Sequence, residues 1–188
     1  MPAIEFPAEL AGAGLTVRPL GEHDAEPYAQ AFRDDPELGL LLGVAEDPTE
    51  EHVREAADRS RQAASEGRMI ELAILREPER AFAGGLLLHK FEWEHRRCEL
   101  GYWLVPQARG VGLAGAAMSL AIGWLFGELG LLRVEIATTL ENVASQDLAR
   151  RLGFTQEALQ RSRDIDRGRR VDVVQFGLLR EEWPIGGR

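Results

Sequence analysis

The segment "WLVPQARGVGLAGAAMSLAIGWLF" (residues 103–126) constrains the fold of this chain more than any other. An apolar run stops at Pro106, glycines follow at 110, 112 and 115, and a long apolar stretch begins at once. This order predicts a strand, a tight loop and a buried helix over about 110–128. Glycines there let a ligand approach the backbone without meeting a Cβ, and the bare N–H groups of a helix start, with its dipole, favour an anion. Three readings of the loop stay open on its residues alone. It is a helix entry built from small residues, a dinucleotide turn with the G-x-G-x-x-G spacing, or a holder of another phosphate. Glu135 lies 20 residues beyond Gly115, where a ribose-binding acid would be sought.

The flanking chain argues against a dinucleotide sheet. "LTVRPL" (15–20) reads as a strand. Asp24 is placed to cap a helix over "AEPYAQAF", and "DPELGLLLG" holds a short second helix. "DPTEEHVREAADRSRQAASEG" predicts a third helix, with Thr49 as N-cap and Gly67 as its stop. Strands are expected at 69–75, 83–91 and 97–105, joined by connections short enough to make antiparallel neighbours. After the glycine loop come a strand at 131–138 and a helix over "ENVASQDLARRLG". "FTQEALQRS" and "VDVVQFGLL" then pair around the polar "RDIDRGRR". A meander therefore precedes the loop, Glu135 sits inside its strand, and few strands follow. The reading is one mixed α/β domain over 14–183, with tails at 1–13 and 184–188.

Composition narrows the partners. The 188 residues carry a net charge of -9, which disfavours nucleic acid and anionic membranes and suits a cationic substrate. One cysteine, Cys98, excludes an intrachain disulfide and fits a reducing cytoplasm. No run approaches the roughly 18 apolar residues of a membrane span, and no metal-ligand spacing is present.

The loop also contains Q-x-x-G-x-G at Gln107, Gly110 and Gly112, which resembles the acyl-CoA pyrophosphate loop of the GNAT acetyltransferases. Four further segments resemble the RimJ/RimL-like branch, which acetylates ribosomal-protein N-termini. They are "LTVRPLGEHDAEPY", "CELGYWLVP", "ENVASQDLARRLGF" and "VDVVQFGLLREEW", in the expected order over residues 14–183. The resemblance implies a mostly antiparallel twisted sheet with one splayed parallel pair, flanked by helices. It implies acetyl-CoA as cosubstrate and a primary amine as acceptor, on a protein N-terminus or a small molecule. A homodimer is compatible with it. The rival functions are a non-catalytic acyl-CoA-binding protein and a nucleotide-dependent oxidoreductase.

By the same resemblance, Trp103, Leu104 and Val105 offer main-chain groups to the pantetheine arm, and Gln107, Arg109, Gly110, Val111, Gly112, Leu113 and Ala114 form the phosphate loop. Asn142 and Ser145 contact coenzyme A; Asn142 also reads as a helix N-cap, a role that does not exclude that contact. Glu99, an acid in the apolar strand "CELGYWL", is the expected base, acting through water; the alternative is a salt-bridged edge residue. Ser145 is expected near the sulfur, where it can help protonate the leaving thiolate; the alternative is a helix-surface hydroxyl. Ala149 stands where many GNAT enzymes carry an acid tyrosine, so that route is closed. For Tyr102 and Trp103, core packing is the expectation for the side chains. Cys98 reads as a buried hydrophobe, and His89 and His95 as hairpin surface residues. Asp164 and Asp166 belong to a solvated turn or border the acceptor site.

Overall fold

The computed structural model describes residues 1–42, 44, 46–166 and 168–184. Within them, eight strands form one sheet: β1 (Leu10–Gly12), β2 (Leu15–Pro19), β3 (Ile70–Arg76), β4 (Ala81–Glu92), β5 (Arg97–Leu104), β6 (Arg133–Thr139), β7 (Thr155–Asp166) and β8 (Arg169–Leu179). Their spatial order is β1-β2-β3-β4-β5-β6-β8-β7. Every neighbouring pair is antiparallel except β5–β6. Parallel neighbours need a crossover, and here the chain crosses through the helix that follows the glycine loop. A single parallel pair is incompatible with a doubly wound dinucleotide sheet, so that reading falls.

Five helices flank the sheet: α1 (Ala25–Asp34), α2 (Pro36–Leu42), α3 (Glu50–Ser65), α4 (Leu113–Gly127) and α5 (Val143–Arg151). α1 and α3 cover one face through Ala25, Ala29, Val53 and Ala57 packed on Ala73 and Leu75. α4 and α5 cover the other, where Met118, Ile122, Leu125 and Ala149 meet Leu88, Leu100, Val134 and Phe176. Met118, Ile122 and Leu125 are fully buried, each contributing roughly 1.5–3 kcal/mol.

Local signals account for most boundaries. Thr49 caps α3, its Oγ1 accepting from His52 N at 3.2 Å. Asp24 does not cap α1: its buried carboxylate accepts from Gly21 N at 2.9 Å and pairs with Arg18 at 2.8 Å. Residues 1–13, expected as a lead-in, supply β1 and fasten to the domain. Ile4 is buried, its N–H donates to Ala64 O at 2.8 Å, and Phe6 meets Trp124 edge-on at 4.7 Å. α4 starts at Leu113 rather than near 110. The closing hairpin runs further than expected, its ladder reaching Asp166 opposite Arg169. Most of β7 is exposed, so its sequence shows no alternation to read. Of the expected tail at 184–188, residues 185–188 lie outside the described residues.

Candidate active site

The loop after β5 begins with a single turn over Pro106–Ala108, closed by Ala108 N donating to Val105 O at 3.0 Å. Gly110 and Gly112 then take φ values of +76° and +86°, a left-handed conformation that costs other residues about 1–2 kcal/mol. A Cβ built on either would meet nothing within 4 Å, so conformation, not crowding, requires the glycines, and the space above them is open. Leu113, Ala114 and Gly115 have no intrahelical acceptor for their N–H groups, and Gly112 provides no side-chain cap. Val111 is 65% exposed at the rim. The result is an open loop whose bare amides suit an anion.

Two loop residues expected to contact a cofactor have these neighbours in the folded chain. Arg109 donates through Nε to Leu104 O at 3.0 Å and pairs with Asp35 at 2.5 Å. It braces the loop against the end of α1. Gln107 lines a cavity of about 290 Å³ beside α1, together with the acids Glu26 and Asp34, surroundings that do not suit a phosphate.

Below the loop the parallel pair splays. β5 and β6 are registered only from Arg97–Glu99 against Arg133–Glu135. Beyond that point β5 continues along β4 to Leu104, while β6 continues along β8 to Thr139. One edge of each strand is left without a neighbouring strand, and the opening leads from Glu99 to the glycine loop. The side chain of Trp103 packs among Tyr28, Phe32 and Phe82, with centroids 5.0–5.9 Å apart within the group, as expected. The Trp103 side chain therefore does not face the opening, the Val105 N–H donates to Ala83 O at 3.0 Å, and the Leu104 carbonyl accepts from Arg109.

Glu99 lies at the mouth of the splay, 9% exposed. Its surroundings are made by a β-bulge. His89 pairs with Glu99, but the next partners are Glu92 and Arg97, so Lys90 and Phe91 stand opposite Cys98 alone. Lys90 adopts φ +52°. The bulge sends Phe91 into the core and turns Lys90 to the same face as His89, against the ordinary alternation. Lys90 Nζ donates to both Glu99 carboxylate oxygens at 2.9 Å, and His89 Nε2 lies 3.5 Å away. Burial holds the His89 imidazolium below its usual range, with the Glu99 charge opposing. His89 is thus part of the site and not the plain surface residue expected; His95 is exposed.

On the same face, Glu71, Leu87 and Gly101 stand side by side across three strands. A Cβ at Gly101 would meet nothing within 4 Å, so this strip is open. Tyr28 Oη donates to Glu71 Oε1 at 3.2 Å. Burial raises the Glu71 carboxyl, the Tyr28 bond opposing, and raises the Tyr28 phenol, the Glu71 charge adding to the effect. Two carboxylates thus border one open strip. No sequence signal marked Glu71, because its pairing with Tyr28 joins residues 43 apart.

The opposite face supplies hydroxyls. Asn142 caps α5, its Oδ1 accepting from Ser145 N at 3.0 Å. Ser145 is buried, not a helix-surface hydroxyl. Its hydroxyl lies beside the Tyr102 phenol, which burial raises while Ser145 and Arg151 oppose. Tyr102, expected only to pack, brings a second polar group beside Ser145. Ala149 is fully buried in the core behind them.

The remaining candidates are accounted for. Glu135 is held by Arg97 at 2.9 Å and Arg133 at 2.7 Å, and Arg133 also pairs with Glu157. These ion pairs tie β5, β6 and β7 together and leave Glu135 no free oxygen for a ribose. Cys98 is buried and its thiol is raised by burial, then by Glu135 and Glu99. Asp164 is exposed on the hairpin arm, 3.9 Å from the Arg163 guanidinium. Among the described residues, no three His, Cys, Asp or Glu side chains group as metal ligands, and no helix is long and apolar enough to cross a membrane.

Comparison with known proteins agrees with this geometry. The family model described as "Acetyltransferase (GNAT) domain" matches residues 14–155. The chain is 32% identical over 173 residues to "Putative ribosomal N-acetyltransferase YdaF" of Bacillus subtilis (strain 168), covering 90% of this chain and 93% of that protein. It superposes on the crystal structure of a probable acetyltransferase with a TM-score of 0.84 and 28% identity, over 93% of this chain and 98% of the other. It also superposes on RimL, the ribosomal L7/L12 alpha-N-protein acetyltransferase solved with coenzyme A. That TM-score is 0.83 at 19% identity, over 90% and 96% of the two chains.

Proposed function

Because the chain belongs to the GNAT acetyltransferase family, we propose that the opening between β5 and β6 seats acetyl-CoA and that an amine approaches from the face carrying Glu99. The observation that carries this reading is the placement of Glu99, an almost buried carboxylate at the mouth of the splay. The open left-handed glycines and the free amides at the start of α4 receive the pyrophosphate. The edge of β5 that points away from β4, at Leu104, pairs with the pantetheine arm like a short strand.

The chemistry is direct transfer. An α-ammonium, with an ordinary pKa of about 7.7–8.0, gives a proton to Glu99, directly or through water. The free amine attacks the thioester carbon, and the thiolate of coenzyme A leaves. The nitrogen sheds its second proton to water, and Ser145, beside Tyr102 on the other face, relays a proton from water to the sulfur. Before any amine can use Glu99 it must displace Lys90, which holds both carboxylate oxygens.

The acceptor is a protein N-terminal α-amine. Support comes from the similarity to YdaF, described as a ribosomal N-acetyltransferase, and from the open strip flanked by Glu71 and Glu99, which suits an extended cationic chain end. The test is thiol release from acetyl-CoA with a panel of N-terminal peptides of ribosomal proteins and of small amines. Turnover with peptides and none with small amines supports the reading. The reverse pattern reassigns the acceptor, and coenzyme binding without thiol release on any amine makes this a binding protein only.

A further inference from the structure

Lys90 is the only lysine in the chain; the other 21 of its 22 basic residues are arginines. Its position is therefore conspicuous. The one side-chain amine in the protein donates to both oxygens of the carboxylate placed at the mouth of the splay, at 2.9 Å each. It is carried there by a bulge with a left-handed backbone at a non-glycine residue, a conformation that costs energy and persists where the surroundings enforce it. The side chain remains 53% exposed, so it is free to swing. An arginine could satisfy the same carboxylate with better geometry, yet this position carries an amine, the functional group that the reaction consumes.

We propose that Lys90 is an internal acceptor: the enzyme acetylates its own Lys90 from acetyl-CoA. The step uses the machinery already described and rests on the reading of Glu99 as its base. One ammonium proton passes to Glu99 and on to water. The Nζ lone pair forms the bond to the acetyl carbon, and the carbon–sulfur bond breaks with its electron pair on sulfur. The second nitrogen proton is released and the sulfur takes one up, leaving an Nζ-acetyl-lysine and free coenzyme A. Being tethered, the amine reacts at an effective concentration no dissolved amine matches. The product has lost its charge, so Glu99 no longer holds an ammonium.

The test incubates the full chain with acetyl-CoA and no added amine, then locates acetyl groups by peptide mass spectrometry. Lys90 in heat-denatured protein is the control for uncatalysed acetylation, and acetylation of the Met1 α-amine is scored separately, because an N-terminal α-amine is itself a proposed substrate. The expected result is one acetyl group on Lys90, formed at a rate independent of protein concentration and saturating with acetyl-CoA. Heat-denatured protein should lose this reaction, as should Glu99→Gln protein that is still folded. Lys90→Arg should lose the acetyl group at position 90 and leave any reaction at Met1 unchanged. If Lys90 is modified no faster in the native than in the heat-denatured protein while the same native sample acetylates added peptides or amines, self-acetylation is overturned and the proposed function stands. If acetyl-CoA raises the melting temperature but neither Lys90 nor any added amine is acetylated, both readings fall.

Discussion

Replacing Glu99 by glutamine separates a base from a structural acid, because the structure makes the two costs very different. Glutamine keeps the volume and one carbonyl acceptor. The partner it weakens is Lys90, whose side chain is 53% exposed and can turn its ammonium to water. No buried cation is stranded, so the loss is that of a partly exposed pair, about 1 kcal/mol or less. For a domain of this size that lowers the melting temperature by roughly 2–4 °C. Loss of a general base costs about 100-fold to 10,000-fold in turnover, or roughly 3–5 kcal/mol of barrier. The assay is steady-state thiol release with an N-terminal peptide, beside thermal melts with and without acetyl-CoA. Coenzyme affinity should stay within a few-fold of wild type. The deficit in turnover should shrink as pH rises through the amine's pKa of about 8, since the amine then arrives already neutral. Wild-type turnover in the folded variant would refute the assignment. A deficit that stays constant well above the amine's pKa would show that Glu99 positions the amine without taking its proton.

Three further outcomes are expected. Acetyl-CoA should raise the melting temperature and NAD should not, with about 2.7 kcal/mol of stabilisation at 100 times the dissociation constant; the reverse order of ligands would remove coenzyme A from the splay. Gly112→Ala and Gly112→Asp share the left-handed backbone cost of about 1–2 kcal/mol, and nothing crowds their Cβ. Only the aspartate sets a charge where the pyrophosphate is proposed, so by titration calorimetry it should weaken acetyl-CoA about 10-fold or more beyond the alanine. Equal affinities would empty the loop of phosphate. Burial raises the Glu71 carboxyl, so the native state binds its proton more tightly than the unfolded chain. Its ionisation therefore destabilises the fold, and stability falls as pH rises from the ordinary carboxylate range through the raised value. Glu71→Gln should gain on wild type in denaturant melts over that rise; a gap unchanged with pH would show that the carboxyl is not strained by burial.

Where the determinant is short-range, the sequence alone was sufficient. Thr49 and Asn142 cap helices by reaching an N–H three residues on. Gly110 and Gly112 take a conformation that other residues resist. The short connections from β3 to β5 dictate antiparallel neighbours. Such effects act within a few residues, and with the ordered family motifs they disclosed the architecture and the position of the glycine loop. Arg109 illustrates the limit: its place in the motif was legible, but its partner Asp35 lies 74 residues away and holds the guanidinium against the end of α1. The bulge at Lys90 is a sharper case. An alternating strand would have turned Lys90 away from His89 and Glu99, and only the irregular register against β5 sets all three on one face. Tyr102 reaches Ser145 and Tyr28 reaches Glu71 for the same reason. Strand register and helix packing, which depend on the whole core, decide which distant side chains meet. The sequence could name the residues of the loop, but the balance of charge around Glu99 exists only in the folded chain.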